Sequence, residues 1–180
     1  MSEQTVLSEG KVNVEGFFDP VTSTVTYLVS DPATGTGAII DPVLDYEARS
    51  GRTSTSSADK LIAHVKEKDL KIKWILETHV HADHLTASPY VQKELGGQTV
   101  IGRCVTIVQQ AFGDAFNAGG TFKRDGSQWD RLVGEGDELN LGDQVVKVME
   151  TPGHTPACVS YVFADAVFVG DTVFMPDYGT

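Results

Sequence analysis

Short apolar runs, cut by turn-forming residues, dominate this chain, and their lengths and periods predict its elements. Residues 12–18 form an apolar, β-prone run that Asp19-Pro20 breaks. Residues 24–30 and 37–41 read as two further strands, separated by the turn-like Asp31-Pro32-Ala33-Thr34-Gly35. Together the three predict an antiparallel meander. Residues 50–57 form a polar loop, and Ser57 is placed to cap a helix through Asp69, with Asp59 in its first turn and Leu61, Ile62 and Val65 on one face. Residues 72–76 suit a buried strand, with Trp74 in the core. A second helix is expected between Leu85 and Leu95, since Pro89 is tolerated near a helix start and Gly96-Gly97 ends it.

A further strand begins near Thr99. Residues 110–136, rich in Gly, Asp and Asn with weak periodicity, read as a long surface loop, a type that is more often functional than decorative. Three strands close the pattern, at residues 144–150, 158–163 and 166–169. No repeat recurs at a fixed period. The order of elements fits one layered, mixed α/β (α+β) domain over residues 1–180.

Composition refines this picture only slightly. At 41% hydrophobic and 22% charged, the 180 residues suit a soluble globular domain with a real core. A formal net charge of -11 repels phosphate backbones and anionic lipids, which argues against nucleic-acid or membrane partners. Met1-Ser2-Glu3-Gln4 lacks the basic start and apolar run of a signal peptide, and two cysteines, Cys104 and Cys158, imply no disulfide framework. The expectation is a cytoplasmic protein.

The chemistry lies in the histidines. Three of the five, His79, His81 and His84, fall within six residues, directly after the buried strand 72–76. If the backbone stays extended, His79 and His81 share a side, while Asp83 and His84 follow where the chain turns. Such a loop is a cradle for one metal or two adjacent ones. Imidazole with carboxylate suits zinc, iron or manganese. His154, in Thr151-Pro152-Gly153-His154-Thr155-Pro156, and Asp171, in Val169-Gly170-Asp171-Thr172, each follow another strand candidate. Either alone is weak. Three strand ends presenting ligands to one edge are a strong combination.

His-x-His-x-Asp-His, then Pro-Gly-His, then Gly-Asp resembles the metallo-β-lactamase superfamily over nearly the whole chain, with Ile39-Ile40-Asp41-Pro42 similar to an early strand end of that family. The resemblance implies an αβ/βα sandwich with a metal site at one edge of its two sheets. It would place Asp41 and Thr155 behind the ligands, Asp41 bracing the histidine loop. A turn or helix cap is the competing role for Asp41. Glu77-Thr78-His79-Val80-His81-Ala82-Asp83-His84-Leu85-Thr86 and Thr151-Pro152-Gly153-His154-Thr155-Pro156-Ala157-Cys158 resemble the persulfide (sulfur) dioxygenase branch. Asp125-Gly126-Ser127-Gln128 and Phe174-Met175-Pro176-Asp177-Tyr178-Gly179-Thr180 are similar to the dioxygenase domain of β-lactamase hydrolase-like proteins in that branch.

That resemblance implies one iron(II) per chain, bound by His79, His154 and Asp171, with O₂ and glutathione persulfide as reactants and sulfite and glutathione as products. His81, Asp83 and His84 would then be outer-sphere polar groups. An alternative is a dinuclear zinc hydrolase of the glyoxalase II type, cleaving a thiolester. There His79, His81, His154 and Asp171 would hold one zinc, and Asp83, His84 and a bridging Asp171 the other. A second alternative follows from the position of Thr180, nine residues after Asp171, where family members continue through more helix and strand. On that reading the sandwich lacks its C-terminal part and the domain binds metal without activity. It would also be less stable than longer relatives, and its exposed sheet edge would favour association, a homodimer included. Three residues remain: His64 as a surface side chain, Cys158 as a small buried hydrophobe or, four residues after His154, a group approaching the site, and Tyr178 as a loop tyrosine or one that faces substrate.

Overall fold

In the computed structural model, which describes residues 3–174, the chain opens with four strands: β1 (Glu3–Glu9), β2 (Asn13–Asp19), β3 (Thr24–Asp31) and β4 (Thr36–Ile40). Two short strands follow, β5 (Val43–Glu47) and β6 (Arg52–Ser54), and then helix α1 (Ser56–Glu67). Next come β7 (Lys71–Leu76), β8 (Leu85–Thr86), α2 (Ser88–Leu95), β9 (Gln98–Gly102), α3 (Val105–Ala115) and β10 (Arg131–Val133). The last strands are β11 (Glu138–Leu141), β12 (Gln144–Glu150), β13 (Val159–Val162) and β14 (Val167–Phe168), followed by a 3₁₀ turn at Gly170–Thr172. No described helix is long and apolar enough to cross a membrane.

Seven strands form one sheet in the order β1-β2-β3-β4-β7-β9-β10, and four form a second in the order β11-β12-β13-β14. The meander β1 to β4 is antiparallel, whereas β4–β7, β7–β9 and β9–β10 are parallel. Parallel neighbours need a crossover, and α1, α2 and α3 supply the three. Alternation along each strand sorts the core into two layers. Ala38, Ile40, Trp74 and Leu76 face the second sheet, against Leu139, Val148, Val159 and Tyr161. Ile39 and Ile75, one residue out of phase, pack under Leu61 and Val65 of α1 and Val91 of α2.

The expected layered architecture holds, with several boundaries moved. Ser57 is not the cap of α1: it sits inside the helix, where its N–H and hydroxyl donate to Asp45 of β5, at 2.9 and 2.6 Å. A carboxylate from another strand thus satisfies the helix start, a partner that no local pattern announces. The second helix begins at Ser88 rather than Leu85, because Leu85 and Thr86 pair with Leu44 and Val43. Pro89 lies in its first turn and Gly96 takes φ +74 after its end, as expected. Residues 110–136 are not one loop, since α3 runs to Ala115 and β10 occupies residues 131–133. Gly113 reads as a breaker, yet an added Cβ there would meet Arg124 Nε at 2.6 Å. It is a packing glycine inside a helix.

His64 is more than a surface residue. Glu15 is buried on β2 beneath α1, and His64 Nε2 lies 2.9 Å from its carboxylate, with Lys68 Nζ at 3.2 Å and Gln4 Nε2 at 2.7 Å. Burial by itself would raise the Glu15 pKa; the hydrogen bonds from Lys68, His64 and Gln4 outweigh it and hold the carboxyl below its usual value. A lowered folded-state pKa stabilises the fold above the unfolded-state pKa, and that contribution fades as pH falls through the carboxylate range. Glu15→Gln is therefore expected to lower stability near pH 7 by about 1–2 kcal/mol. Thermal unfolding of both chains from neutral to acidic pH should show the difference shrinking toward zero.

Candidate metal centre

Three strand ends deliver the histidines and Asp171 to one edge of the sandwich. Glu77 continues β7 by donating its N–H to Val100 O at 2.9 Å, after which the chain leaves the sheet as the histidine loop. The segment between β12 and β13 carries His154, and the 3₁₀ turn after β14 carries Asp171. There Asp171 Oδ2 lies 3.6 Å from His79 Nε2 and 3.4 Å from His154 Nε2, and one ligand atom from each residue falls within 4.8 Å of the others. Two atoms bound about 2.1 Å from one ion sit roughly 3.0–3.4 Å apart at angles between square and tetrahedral. The two contacts of Asp171, at 3.4 and 3.6 Å, lie at and just above that range, so a small inward movement would bring the three onto a single cation.

The tautomer of His79 follows from its neighbours. Asp41 takes a left-handed backbone, φ +49, with its N–H donated to Leu76 O at 2.9 Å. That bend aims its carboxylate at Thr78, whose N–H and hydroxyl both donate to it at 2.8 Å. A hydroxyl that donates to Asp41 has only its lone pairs for His79 Nδ1, 2.9 Å away, so Nδ1 carries the hydrogen. Nε2 is left bare, buried and without a hydrogen-bond partner. Burial, aided by the charge on His81, pulls the His79 pKa down to about 4, so the ring is neutral at pH 7. A neutral imidazole with its lone pair aimed into the site is what a metal ligand requires.

Asp171 completes the argument from the other side. Burial raises its pKa, and the charges of His154 and His81 beside it only partly counter that. Gly170, at φ +53, lets this turn lie against the loop, since a Cβ there would come within 2.5 Å of Thr78 Oγ1. The residues present fit a bound cation, on the orphaned Nε2 of His79 and on this donor set.

His81, Asp83 and His84 form a second group of ligand atoms within 4.8 Å, while His81 does not join the first. His81 Nε2 faces Asp41 Oδ1 at 3.1 Å and Glu77 Oε2 at 3.5 Å. Burial favours the neutral His81 ring, but the charge and hydrogen bond of Asp41, backed by Glu77, override it and raise the pKa. Asp83 Oδ2 accepts from Thr24 Oγ1 at 2.8 Å and lies 3.2 Å from His84 Nδ1. His84 Nε2, like that of His79, is buried without a partner.

Thr155 shapes the His154 loop. Its N–H and its hydroxyl each lie 3.2 Å from Cys158 Sγ, and its hydroxyl accepts from Ala157 N–H at 3.1 Å. Cys158 is buried, as expected of a small apolar residue, with its sulfur engaged in that turn. Beside the cluster opens a cavity of about 800 Å³, lined by Asp41, His81, Asp83 and Asp171 and by Val25, Tyr27, Phe168 and Phe174 among others. Tyr178 and the rest of residues 175–180 lie outside the described residues. Thr24, Thr78, Glu77 and Gly170 were not singled out from the sequence. For Gly170 the signal was available, a glycine directly before a candidate ligand.

Residues 19–180 match the family model of the Metallo-beta-lactamase superfamily. The chain is 55% identical to a "Probable metallo-hydrolase" of Burkholderia pseudomallei, covering 94% of this chain and 61% of that protein. It is 49% identical to a "Beta-lactamase hydrolase-like protein" of Xylella fastidiosa, over 93% of this chain and 38% of the relative. It is 30% identical to the mitochondrial persulfide dioxygenase ETHE1 of Mus musculus, over 99% of this chain and 59% of that one. Among solved structures, ETHE1 from Myxococcus xanthus superposes with a TM-score of 0.72 at 31% identity, covering 92% of this chain and 60% of the other. The chain thus spans less than two thirds of each relative's length. With a family match over residues 19–180, which takes in His79, His154 and Asp171, the chain belongs to the metallo-beta-lactamase superfamily.

Proposed function

We propose that this chain holds one iron(II) through His79, His154 and Asp171 and oxidises a persulfide, glutathione persulfide by the family resemblance, to sulfite and the thiol. The observation that carries this reading is the triad of two imidazole nitrogens and one carboxylate oxygen, grouped without His81. Its resemblance to persulfide dioxygenases supports the same reading. His79, His154 and Asp171 would hold iron(II), which with such a donor set would supply the redox chemistry that couples a persulfide to O₂. The overall reaction balances as R–S–SH + O₂ + H₂O → R–SH + SO₃²⁻ + 2 H⁺.

The chain's own groups have definable parts in this reading. Thr78, fixed by Asp41, holds the hydrogen on Nδ1 of His79 and keeps Nε2 available. His81, 3.1 Å from Asp41 and 3.5 Å from Glu77, supports the ionised Asp41 carboxylate that fixes Thr78. Val25, Tyr27 and Phe168 give the cavity an apolar lining beside the polar cluster.

A second reading is the dinuclear zinc hydrolase. It is favoured by the second cluster, which groups His81 with Asp83 and His84 rather than with His79, and by the unpartnered Nε2 of His84. It accords with the hydrolase names of the more similar relatives.

Metal analysis with oxygen uptake on glutathione persulfide separates these readings. We expect about one iron per chain with uptake; two zincs with thiolester cleavage would favour the hydrolase, and metal with neither activity an inactive domain. His81→Ala should keep about one iron per chain, held by the other three residues, whereas a fall from two bound metals to one would place His81 among the ligands. Gly170→Ala, which drives a methyl group into Thr78, should weaken metal binding about 10- to 100-fold in a chelator competition.

A further inference from the structure

We propose that Glu77 is a positioning residue of the metal site, closing the histidine loop into a ring. This inference rests on the metal reading of the His79–His154–Asp171 triad. Glu77 stands at the exit of β7, one residue before Thr78 and two before His79. It is 2% exposed, although nothing in a strand-end position requires a buried carboxylate. Its side chain reaches across the loop to the far end. Oε1 accepts hydrogen bonds from the hydroxyls of Thr86 and of Ser88, the first residue of α2. Thr86 Oγ1 in turn accepts the Ser88 N–H at 3.0 Å, so the helix start is tied in as well.

The other oxygen, Oε2, makes no hydrogen bond and lies 3.5 Å from His81 Nε2, within the loop itself. Glu77 is pinned by its backbone too, through Val100 O at 2.9 Å and through the Tyr161 hydroxyl, which donates to its carbonyl at 3.0 Å. One fixed carboxylate therefore touches the entry, the middle and the exit of the loop that carries His79, His81 and His84. Buried hydroxyls left without an acceptor would seek other partners, and the ends of the loop would lose their registry. The pairing of β5 with β8 and the bond from Ala87 N–H to Pro42 O remain without Glu77, so the fold has other anchors there.

Cobalt(II) is the probe, because its visible absorption reports ligand geometry without requiring turnover. Glu77→Ala is expected to weaken cobalt binding about 10- to 100-fold and to change the spectrum. Glu77→Gln keeps an oxygen acceptor for both hydroxyls and should restore affinity to within a few-fold, with the parent spectrum. Thr86→Val combined with Ser88→Ala, in a chain that keeps Glu77, should reproduce the loss. It serves as the test should Glu77→Ala fail to fold. Parent-like binding by Glu77→Ala or by the double variant overturns the proposal, as does a Glu77→Gln chain as weak as Glu77→Ala. A parent chain that binds no cobalt overturns the metal reading, and the role of Glu77 with it.

Discussion

The Asp41 carboxylate is the constraint on which the site depends. It is buried at the end of β4, in a left-handed backbone conformation that costs an ordinary residue about 1–3 kcal/mol. In return it accepts three hydrogen bonds, two from Thr78 and one from His81. Burial would raise its pKa, and His81 together with the two Thr78 bonds reverses that, so it stays ionised. An ionised Asp41 forces the Thr78 hydroxyl to donate toward it. That choice sets the hydrogen on His79 Nδ1 and leaves Nε2 open. The proton position on His79 is thus decided by a residue that acts on it through Thr78.

The sheet explains why one carboxylate can do this. β4 and β7 are parallel neighbours, so Asp41 and the histidine loop leave adjacent strands at the same edge. β14 brings the Gly170–Thr172 turn to the same place, and Gly170 allows contact close enough for Asp171 to face His79. Candidate ligands separated by 92 positions in the chain meet because strand ends converge, as is usual for sites on layered α/β folds. The tertiary structure contributes position; the chemistry was already in the side chains.

Much of this was legible beforehand where the signal was local. The His79–His84 run stands out because three imidazoles and a carboxylate are contiguous, and the meander and α2 follow from period and punctuation. What stayed hidden depends on partners far along the chain. Asp45 supports the start of α1 across 12 residues, and Thr24 holds Asp83 across 59, links with no local pattern. α3 was hidden because its buried stripe of Val105 and Val108 is completed by Gln109 and Gly113, residues that look polar or helix-breaking in sequence. Glu77 stands in the motif as one acid among many. Only its burial and its two hydroxyl donors distinguish it.

The most direct test is a nitrogen-detected NMR titration of the histidine rings of the metal-free chain with zinc, used as a diamagnetic probe of the triad. Before metal, His79 should show a protonated Nδ1 and a bare Nε2. Up to one equivalent of zinc, Nε2 of His79 and of His154 should move together while both nitrogens of His81 hold their positions. A protonated Nε2 on His79 in the metal-free chain, or a His81 ring nitrogen that moves in step with His79, would contradict the account.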